Sequence, residues 1–572
     1  MDSLSLLDES SVHRIFSCLS QVDAQTLVSL ASNWPKLCAV ALRHLTLKAT
    51  THLAPIAAIL SAGSCQYLRS LRVEGPLDVS HVKLIRRLVT LAPRLEKISL
   101  KNLNLGPSSD AQALRSLLDL VAGCETLTTT NFSGLYWANA PPTSPRQEAE
   151  GDGDVQNEAA GKGEEAEEEA GGGEGGERGE EGEDRTEHPS PMALASKTGD
   201  EEGSSQSSGS RSWDRGCLSF FNVQQDAPAG DLTLGTSAVT SLSLTHSGFV
   251  APLFLHSGQQ WSRPFLQQLA HLDLTASCKE GLGLKGLAEA LPQMIHLRTL
   301  VLAGNGMGQE GLQLLGPGLT ALRSSLQMLD LSANGLGAEG LEDLSQILDG
   351  SSKLSSLALR GAWIGNDGVD ALISLLETIA PHIEDLDISQ NRLQLPAVRQ
   401  LFAAWPETPR LRKLNLSENA VFGAWSSREE EQGFARAWEH FTSKITNLEA
   451  LYLRATMLGP NLDVLPRVLP HFPAGLKELS LAASQLSAEA WLSLSEFLPA
   501  FPKLEVLGLV QARLTDQELP ELCSFLRRYR ALRVLDLRGN RVSPAAIRTL
   551  DQTLRACGLD LKDLRTSSRP TP

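Results

Sequence analysis

The sequence predicts an α/β solenoid, in which short strand–turn–helix units stack so that a curved parallel sheet lies inside and helices lie outside. The pattern LxxLxL, with isoleucine in one copy, begins ten times between Leu269 and Leu532, at intervals of 28 or 29 residues and one of 37. Within each unit the leucines first alternate with other residues, as on a strand, and then recur every three to four residues, as on a helix.

The strand phase is clearest in the segment LRTLVLAGN, where Leu300 and Leu302 alternate with Thr299 and Val301. This alternation predicts a strand with one buried face. Three residues beyond the strand an asparagine recurs, and its side-chain amide can bond backbone groups that the turn leaves open. These asparagines are Asn305, Asn334, Asn391, Asn419 and Asn540.

The helical phase places leucines on one stripe, such as Leu315 and Leu319 in one unit and Leu344 and Leu348 in the next. One unit cannot cover its own leucines, whereas a stack buries each unit's apolar edge against its neighbour. Burial of a leucine contributes roughly 1.5–3 kcal/mol, so the leucines are expected to persist while outward positions vary. A glycine expected at a tight turn before the helix recurs at Gly283, Gly311, Gly340 and Gly368.

Weaker copies of the strand pattern predict a first block of repeats at residues 42–136, before the main block at 229–560 and a C-terminal tail at 561–572. With these leucines and asparagines, the chain resembles the leucine-rich repeat family, specifically the 28–29-residue type of ribonuclease inhibitor. The resemblance covers roughly residues 42–135 and 230–560. The weaker copies begin at Leu42, Leu68, Leu95 and Val239, with a degraded one near Leu127.

Residues 137–228 are predicted to be a disordered acidic insert that loops out of the solenoid. The segment GKGEEAEEEAGGGEGGERGEEGEDR consists mainly of glycine and glutamate and has little to bury. Between Glu148 and Glu202 there are 20 Asp and Glu against four Lys and Arg, an excess of 16 that equals the net charge of −16 of the whole chain. The remaining residues are electrically balanced, so we expect neither nucleic-acid nor membrane binding.

Residues 1–41 do not fit the repeat and are predicted to form three short amphipathic helices. Three such helices ahead of a leucine-rich solenoid resemble an F-box, the module that docks on the Skp adaptor of cullin–RING ubiquitin ligases. The alternative is a helical cap that shields the apolar end of the first repeat, which every solenoid requires. The F-box resemblance implies adaptor contacts by Leu7, Ile15, Phe16, Leu19, Leu30 and Trp34.

Known catalytic and metal-binding patterns are absent from the sequence. It contains no GxxxxGK[ST], GxSxG or HExxH, and its eight cysteines form no CxxC pair. We therefore expect a non-catalytic protein without a cofactor or a metal. Scattered cysteines suit a reducing compartment, and no apolar run approaches the roughly 20 residues of a membrane span, so we expect a cytoplasmic or nuclear location.

The positions that the leucines leave free are the candidates for binding, because they project from the concave face of the predicted sheet. Acidic, basic and aromatic residues share this strip, which suits a polar protein or peptide partner. An ordinary solvated sheet face is the alternative for any one of them. The predicted contact residues are Asp330, Arg360, Asp387, Arg412, Asn415, Tyr452, Arg454, Asp536 and Arg538.

The repeat that begins at Leu411 is 37 residues long, and its extra residues include the segment VFGAWSSREEEQG. Insertions in a solenoid emerge as loops on one face, which is often a binding face. Trp425 in this segment is therefore expected either to be an exposed anchor or to fold back onto Trp438.

Two functions are consistent with this organisation. The first is the substrate-recognition subunit of an SCF-type (Skp–cullin–F-box) ubiquitin ligase, in which the N-terminal helices hold the adaptor and the repeats bind the target. The alternative is a repeat scaffold, inhibitor or GTPase regulator unrelated to ubiquitin, similar to ribonuclease inhibitor or to the activators of the Ran GTPase.

Overall fold

The described residues form one sheet of 16 strands, in which each strand lies beside its neighbours in sequence. The chain divides into two units, one made of residues 1–143 and 229–572 and the other of residues 144–228. All described residues belong to the first unit. The structure, a computed structural model, describes residues 44–48, 68–77, 85, 89, 92, 94–103, 127–133, 239–246, 263–278, 283–423, 427–458, 465–486, 488–497, 501–556, 558–559 and 561–566.

Strands and helices alternate along the second part of the chain. The strands are β1 (His44–Lys48), β2 (Ser70–Leu77), β3 (Lys97–Leu103), β4 (Thr129–Ser133), β5 (Ser241–Thr245), β6 (His271–Asp273), β7 (Thr299–Val301), β8 (Met328–Asp330), β9 (Ser356–Ala358), β10 (Asp385–Asp387), β11 (Lys413–Asn415), β12 (Ala450–Tyr452), β13 (Glu478–Ser480), β14 (Val506–Gly508), β15 (Val534–Asp536) and β16 (Asp563–Arg565). The described α-helices are α1 (Arg263–Gln268), α2 (Leu284–Ala290), α3 (Gly308–Ala321), α4 (Gly337–Leu348), α5 (Val369–Ile379), α6 (Leu395–Ala403), α7 (Arg428–Lys444), α8 (Leu465–Val468), α9 (Ala488–Phe497), α10 (Leu519–Leu526) and α11 (Pro544–Ala556).

Adjacent strands are parallel and in the same register, so equivalent leucines stack from repeat to repeat. Leu300 of β7 pairs with Leu329 of β8, which pairs with Leu357 of β9. None of these three leucines is more than 1% exposed. The helices α3 to α7 pack successively against one another. The α/β solenoid predicted from the sequence is confirmed.

The sheet continues across the acidic insert and beyond the last repeat predicted from the sequence. Thr130 of β4 pairs with Leu242 of β5, although more than a hundred residues separate them in the chain. At the other end, β16 lies within the segment assigned to the C-terminal tail and adds one more strand beside β15. The pattern LxxLxL missed β16 because its segment, LKDLRT, has Thr566 where the third leucine is expected.

The recurring glycines serve two purposes rather than one. Gly283 has a φ of +83° and precedes α2, as expected for a turn residue. Gly311 and Gly340 instead lie in the first turns of α3 and α4, where an added Cβ would come 2.6 Å from Met307 Cβ and 2.9 Å from Leu336 Cβ. The expectation of a tight turn is therefore wrong for Gly311 and Gly340, because close packing is what requires glycine there.

The asparagines form a buried ladder that ties each strand end to the preceding repeat. Asn419 Oδ1 accepts hydrogen bonds from the backbone N–H groups of Asn391 at 3.0 Å and Leu393 at 3.2 Å. Its Nδ2 donates to the carbonyl oxygens of Ile388 at 3.0 Å and Leu416 at 3.1 Å. Comparable links to the preceding repeat are made by Asn305, Asn334 and Asn540.

The long repeat places many of its extra residues in a helix. Helix α7 begins at Arg428 and is 17 residues long, and the Ser427 hydroxyl caps it by accepting a hydrogen bond from the N–H of Glu430 at 3.2 Å. The expectation of a loop is therefore wrong for the residues from Arg428 onward. Trp425 lies outside the described residues.

Helix α7 contributes to an aromatic cluster in the core. Trp438 is fully buried, and its ring centroid lies 5.5 Å from Phe402, 5.5 Å from Phe422 and 5.2 Å from Phe472. Its Nε1–H donates to the carbonyl oxygen of Val468 at 3.0 Å. These rings come from consecutive repeats, so the cluster couples the repeats on either side of α7.

Candidate functional site

The strand face is the side of the sheet away from the helices, formed by the residues that flank each buried strand leucine, the residue before each strand and the second residue after it. Alternation along a strand directs these side chains away from the core. Asp387, Asn415 and Tyr452 end β10, β11 and β12 and are half-buried there. Arg360 and Arg454 are exposed two residues beyond their strands. Their binding role stays a prediction.

Polar side chains link β10, β11 and β12 across this face. Asp387 Oδ1 accepts hydrogen bonds from the Ser389 N–H at 2.9 Å and hydroxyl at 2.6 Å, and its Oδ2 accepts from Asn415 Nδ2 at 2.9 Å. Asn415 Oδ1 accepts from the N–H of Ser417 at 3.1 Å, and the Ser417 hydroxyl accepts from the N–H of Arg454 at 3.2 Å. Side chains of two repeats are therefore fixed to each other and to the backbone of a third.

Tyr452 and Asp385 lie in an acidic part of the strand face. Burial raises the pKa of Tyr452, and the nearby Glu478 carboxylate, which accepts a hydrogen bond from the hydroxyl, and the charge of Asp385 raise it further. Burial also raises the pKa of Asp385; Lys413, 4.0 Å away, opposes this rise and Asp387 adds to it. The folded chain thus keeps a partly desolvated carboxylate here at a cost in stability.

The substitution Asp385→Asn is expected to stabilise the fold at neutral pH, because the amide lacks the charge that burial disfavours. The raised pKa means that the folded state binds the proton more tightly than the unfolded state. The cost of the charge is present above the folded pKa and disappears as the pH falls through it, so the variant's advantage should shrink in acid. Urea unfolding at neutral and mildly acidic pH measures this, and a variant less stable at neutral pH contradicts it.

A second row of contacts runs along the ends of the strands through four consecutive repeats. Arg360 Nε donates to Gln390 Oε1 at 3.0 Å, and Gln390 Nε2 donates to Glu418 Oε2 at 2.8 Å. Arg454 Nε lies 3.9 Å from Glu418 Oε1. These contacts order long polar side chains that would otherwise sample many rotamers.

At the other ends of the strands, Glu449 joins two cations. Lys477 Nζ lies 2.9 Å from Glu449 Oε2, and Arg412 Nη2 lies 4.0 Å from its Oε1. The hydrogen bond from Lys477 lowers the pKa of Glu449. Arg412 thus has only a long contact with a carboxylate that already pairs with Lys477, and such exposed pairs contribute about 0–1 kcal/mol.

Asp536 and Arg538 form a separate pair near the C-terminal end of the sheet. Burial raises the pKa of Asp536, but the hydrogen bonds from Arg538 outweigh this effect and, with Arg565, hold the pKa below its usual value. Arg538 Nη2 lies 2.8 Å from Asp536 Oδ2, and Arg565 Nη1 lies 3.9 Å from the same atom. Asp330, on β8, accepts a hydrogen bond from the Ser332 N–H at 2.9 Å.

The structure therefore groups some of the predicted contact residues and separates others. Asp387, Asn415 and Arg454 share one set of contacts, which Arg360 joins through the strand ends, whereas Tyr452 contacts Glu478. The F-box-like residues lie outside the described residues, so their role stays a prediction. They are Leu7, Ile15, Phe16, Leu19, Leu30 and Trp34.

The sequence prediction missed several residues of the strand face and of the turns beside it. It considered mainly the position between the strand leucines, whereas Asp385 and Glu478 lie one residue before a strand leucine and share the same face. Gln390 and Glu418 lie three residues beyond their strands, and Trp363 lies in the turn after β9. The same leucine register could have identified the first four, whereas the exposure of Trp363 is visible only in the folded chain.

Metal-ligating clusters and membrane-spanning helices are both absent from the described part of the chain. It contains no group of three or more His, Cys, Asp and Glu side chains placed to hold a metal ion. None of its helices is long and apolar enough to cross a membrane. What the strand face presents is a tyrosine, arginines and fixed polar groups, which are contacts typical of protein interfaces.

Comparison with known families agrees with the repeat geometry. The Leucine Rich repeat model matches residues 293–316, 324–345 and 350–372, which include β7, β8 and β9. The chain thus contains leucine-rich repeats. Its predicted resemblance to the ribonuclease-inhibitor type is confirmed for the repeats by the similarities that follow.

This leucine-rich repeat protein is 28% identical to ribonuclease inhibitor of Mus musculus over 289 residues, which cover 49% of this chain and 61% of that protein. It is 28% identical to NACHT, LRR and PYD domains-containing protein 12 of Homo sapiens over 257 residues, which cover 44% of this chain and 23% of that protein. The chain thus spans about three fifths of the length of the first relative and about a quarter of the length of the second. A solved structure, the leucine-rich repeat-containing protein LegL7 from Legionella pneumophila, aligns with a TM-score of 0.37 and 22% identity, covering 49% of this chain and 86% of that chain.

Proposed function

We propose that this leucine-rich repeat protein is a non-catalytic scaffold that holds a protein partner on the strand face between β9 and β15. The observation that carries the proposal is the fixing of side chains across successive repeats, as in the contacts from Asp387 to Asn415 and from Gln390 to Glu418. A surface whose side chains are already ordered loses less conformational entropy when a partner binds.

The size and composition of this face support the same function. Neighbouring strands lie about 4.8 Å apart, so the seven strands from β9 to β15 extend over about 29 Å. Common protein interfaces bury about 800 Å² on each partner, which a face of this length accommodates. Tyrosine and arginine, represented here by Tyr452, Arg360 and Arg454, are enriched among residues that dominate binding. The similarity to a protein named ribonuclease inhibitor also favours a protein partner.

Reversal of two exposed charges tests this function. We expect the full chain carrying Arg412→Glu and Arg454→Glu to lose its specific partners, with labelling reduced by about tenfold or more, because tenfold corresponds to only about 1.4 kcal/mol. Proximity labelling in cells followed by quantitative mass spectrometry measures the loss.

The matched control carries Arg436→Glu and Arg548→Glu, which reverse two exposed arginines on helices α7 and α11. Both double variants change the net charge equally, so non-specific charge effects cancel. Retention of the same partners by the strand-face variant, or their equal loss from the control, would falsify the proposal.

The finer assignment, a substrate receptor of an SCF-type ubiquitin ligase, depends on residues 1–41. The F-box-like pattern of these residues supports the ligase assignment. That assignment leaves the role of the strand face unchanged. We expect the full chain to recover the Skp adaptor and cullin in a pull-down and the variant Ile15→Asp to lose both. If the adaptor is absent with the wild-type chain as well, the ligase assignment fails and a scaffold or inhibitor remains.

A further inference from the structure

The turn after β9 exposes a tryptophan that its neighbours hold in place. Trp363 is 63% exposed. A Cβ at Gly335, in the preceding repeat, would lie 3.6 Å from Cε3 of the Trp363 ring, so the ring packs against that glycine. In the following repeat, the guanidinium carbon of Arg392 lies over the ring, 5.5 Å from its centroid. The ring is thus ordered although most of it faces solvent.

The fold does not require a tryptophan at this position. Trp363 has a φ of +62°, in the left-handed region, and the equivalent turn residues of the two preceding repeats are Gly306 and Gly335, with φ of +59° and +64°. The left-handed conformation costs a residue with a side chain roughly 1–3 kcal/mol. Trp363 therefore adds backbone strain and exposed apolar surface, neither of which stabilises the repeat.

The residue before Trp363 also departs from the repeat. Ala362 occupies the position of the ladder asparagine, and its N–H donates to the carbonyl oxygen of Leu359 at 3.3 Å. Within the described residues, the buried Oδ1 of Asn391 has no hydrogen-bond partner. Where two successive repeats both carry a ladder asparagine, the backbone N–H of the first donates a hydrogen bond to the Oδ1 of the second. Ala362 thus departs from the asparagine ladder at a cost in stability, directly before the exposed Trp363, and such departures cluster at functional sites.

Arg392 places a positive charge over the exposed ring, and Arg360 lies in the same turn as Trp363. In the part of the chain that the structure describes, neither Arg360 nor Arg392 forms an ion pair with a carboxylate; Arg360 bonds the neutral Gln390. Arg454, farther along the strand ends, lies near the single carboxylate of this row, Glu418. The row therefore has two guanidinium groups for one carboxylate, and Arg392 adds a third guanidinium group over the Trp363 ring.

We propose that Arg360, Trp363 and Arg392, together called the Trp363 patch, dock an acidic peptide segment of the partner. Its carboxylates pair with the two guanidinium groups, which present paired N–H donors suited to a carboxylate, and an apolar side chain of the segment contacts the ring. This inference rests on the proposed function and deepens it by naming the class of partner. Nucleic-acid binding typically uses several phosphate contacts, commonly about six to ten, whereas the patch has two cations.

The variant Trp363→Gly separates binding from folding. Glycine adopts the left-handed conformation without strain, so this variant should be at least as stable as the wild-type chain. Arg392→Gln removes one cation and keeps a polar side chain. The matched control is Met457→Gly, because Met457 occupies the equivalent turn position of a later repeat, has a φ of +63° and is 46% exposed.

Selection from a phage-displayed library of random peptides on the full chain tests the proposal, followed by fluorescence anisotropy with the enriched peptides. We expect enriched peptides to combine Asp or Glu with an apolar residue. Their affinity should fall by about tenfold or more for Trp363→Gly and for Arg392→Gln, and stay unchanged for Met457→Gly. The proposal is overturned if no peptide is enriched, if enriched peptides are basic or uncharged, or if they bind Trp363→Gly as tightly as wild type. A single-stranded oligonucleotide that binds wild type and not Trp363→Gly also overturns it.

The same variants distinguish this inference from the proposed function. If cellular partners are lost from Arg412→Glu, Arg454→Glu but kept by Trp363→Gly, the Trp363 patch is not their docking site and the strand face still is. If Trp363→Gly loses them while the strand-face variant keeps them, the proposed function fails and binding belongs to the turns alone.

Discussion

Replacing Trp438 by alanine is expected to lower the free energy of unfolding by about 3–5 kcal/mol. The side chain is fully buried and lies within 5.5 Å, between ring centroids, of Phe402, Phe422 and Phe472. Its removal leaves a cavity among rings from consecutive repeats and an unpaired carbonyl oxygen at Val468. Because a solenoid depends on contacts between neighbouring repeats, the loss should weaken the stack on both sides of α7.

Urea unfolding followed by far-ultraviolet circular dichroism measures this effect without relying on tryptophan fluorescence. The control is Trp363→Ala, which removes the same side chain from an exposed position and should change stability by less than about 1 kcal/mol. Equal losses for the two variants would show that Trp438 is not part of a packed core.

Asn419→Ala should destabilise the chain by about 2–4 kcal/mol, since each buried group left without a hydrogen bond costs about 1–3 kcal/mol and partial relaxation recovers some of that. The variant leaves the N–H groups of Asn391 and Leu393 and the carbonyl oxygens of Ile388 and Leu416 without this side chain's hydrogen bonds. The midpoint of thermal or urea unfolding reports the change.

Ser484→Ala is the matched control, because Ser484 is buried at the same place in a later repeat. Its hydroxyl makes one long hydrogen bond, to the carbonyl oxygen of Ala482 at 3.4 Å. We expect a loss of less than about 1 kcal/mol for this variant. A loss as large as that of Asn419→Ala would mean that the asparagine ladder contributes no more to stability than another buried polar side chain.

Much of the fold could be predicted because the period of the leucines indicates which side chains are buried. Leu300, Leu329 and Leu357 were identified by their period alone, and each is buried in register with the next. The same period failed at β16, where Thr566 replaces a leucine although the strand still pairs with β15. Once most strands are present, the edge of the growing sheet can order a segment whose own pattern is incomplete.

The candidate site was less predictable, because its residues depend on contacts between repeats. Asp387 and Tyr452 could be placed on the strand face from the alternation of their strands. The links from Asp387 to Asn415 and from Gln390 to Glu418 join residues 28 apart, and no local pattern reveals them. Trp363 was missed because its exposure, its left-handed backbone and its contact with Arg392 are visible only in three dimensions.

By itself the sequence determined the architecture: leucines at a fixed period must share one core, and stacked strands and helices are the arrangement that buries them all. Only the tertiary structure decided which outward side chains are fixed to one another, as with Arg360 and Gln390, and which buried polar atoms have no partner among the described residues, as with Asn391 Oδ1. The physical reason is the separation in sequence between the residues that interact. Burial of leucines follows a periodicity within each repeat, whereas hydrogen bonds and ion pairs depend on distances of a few ångströms between residues that only the folded stack brings together.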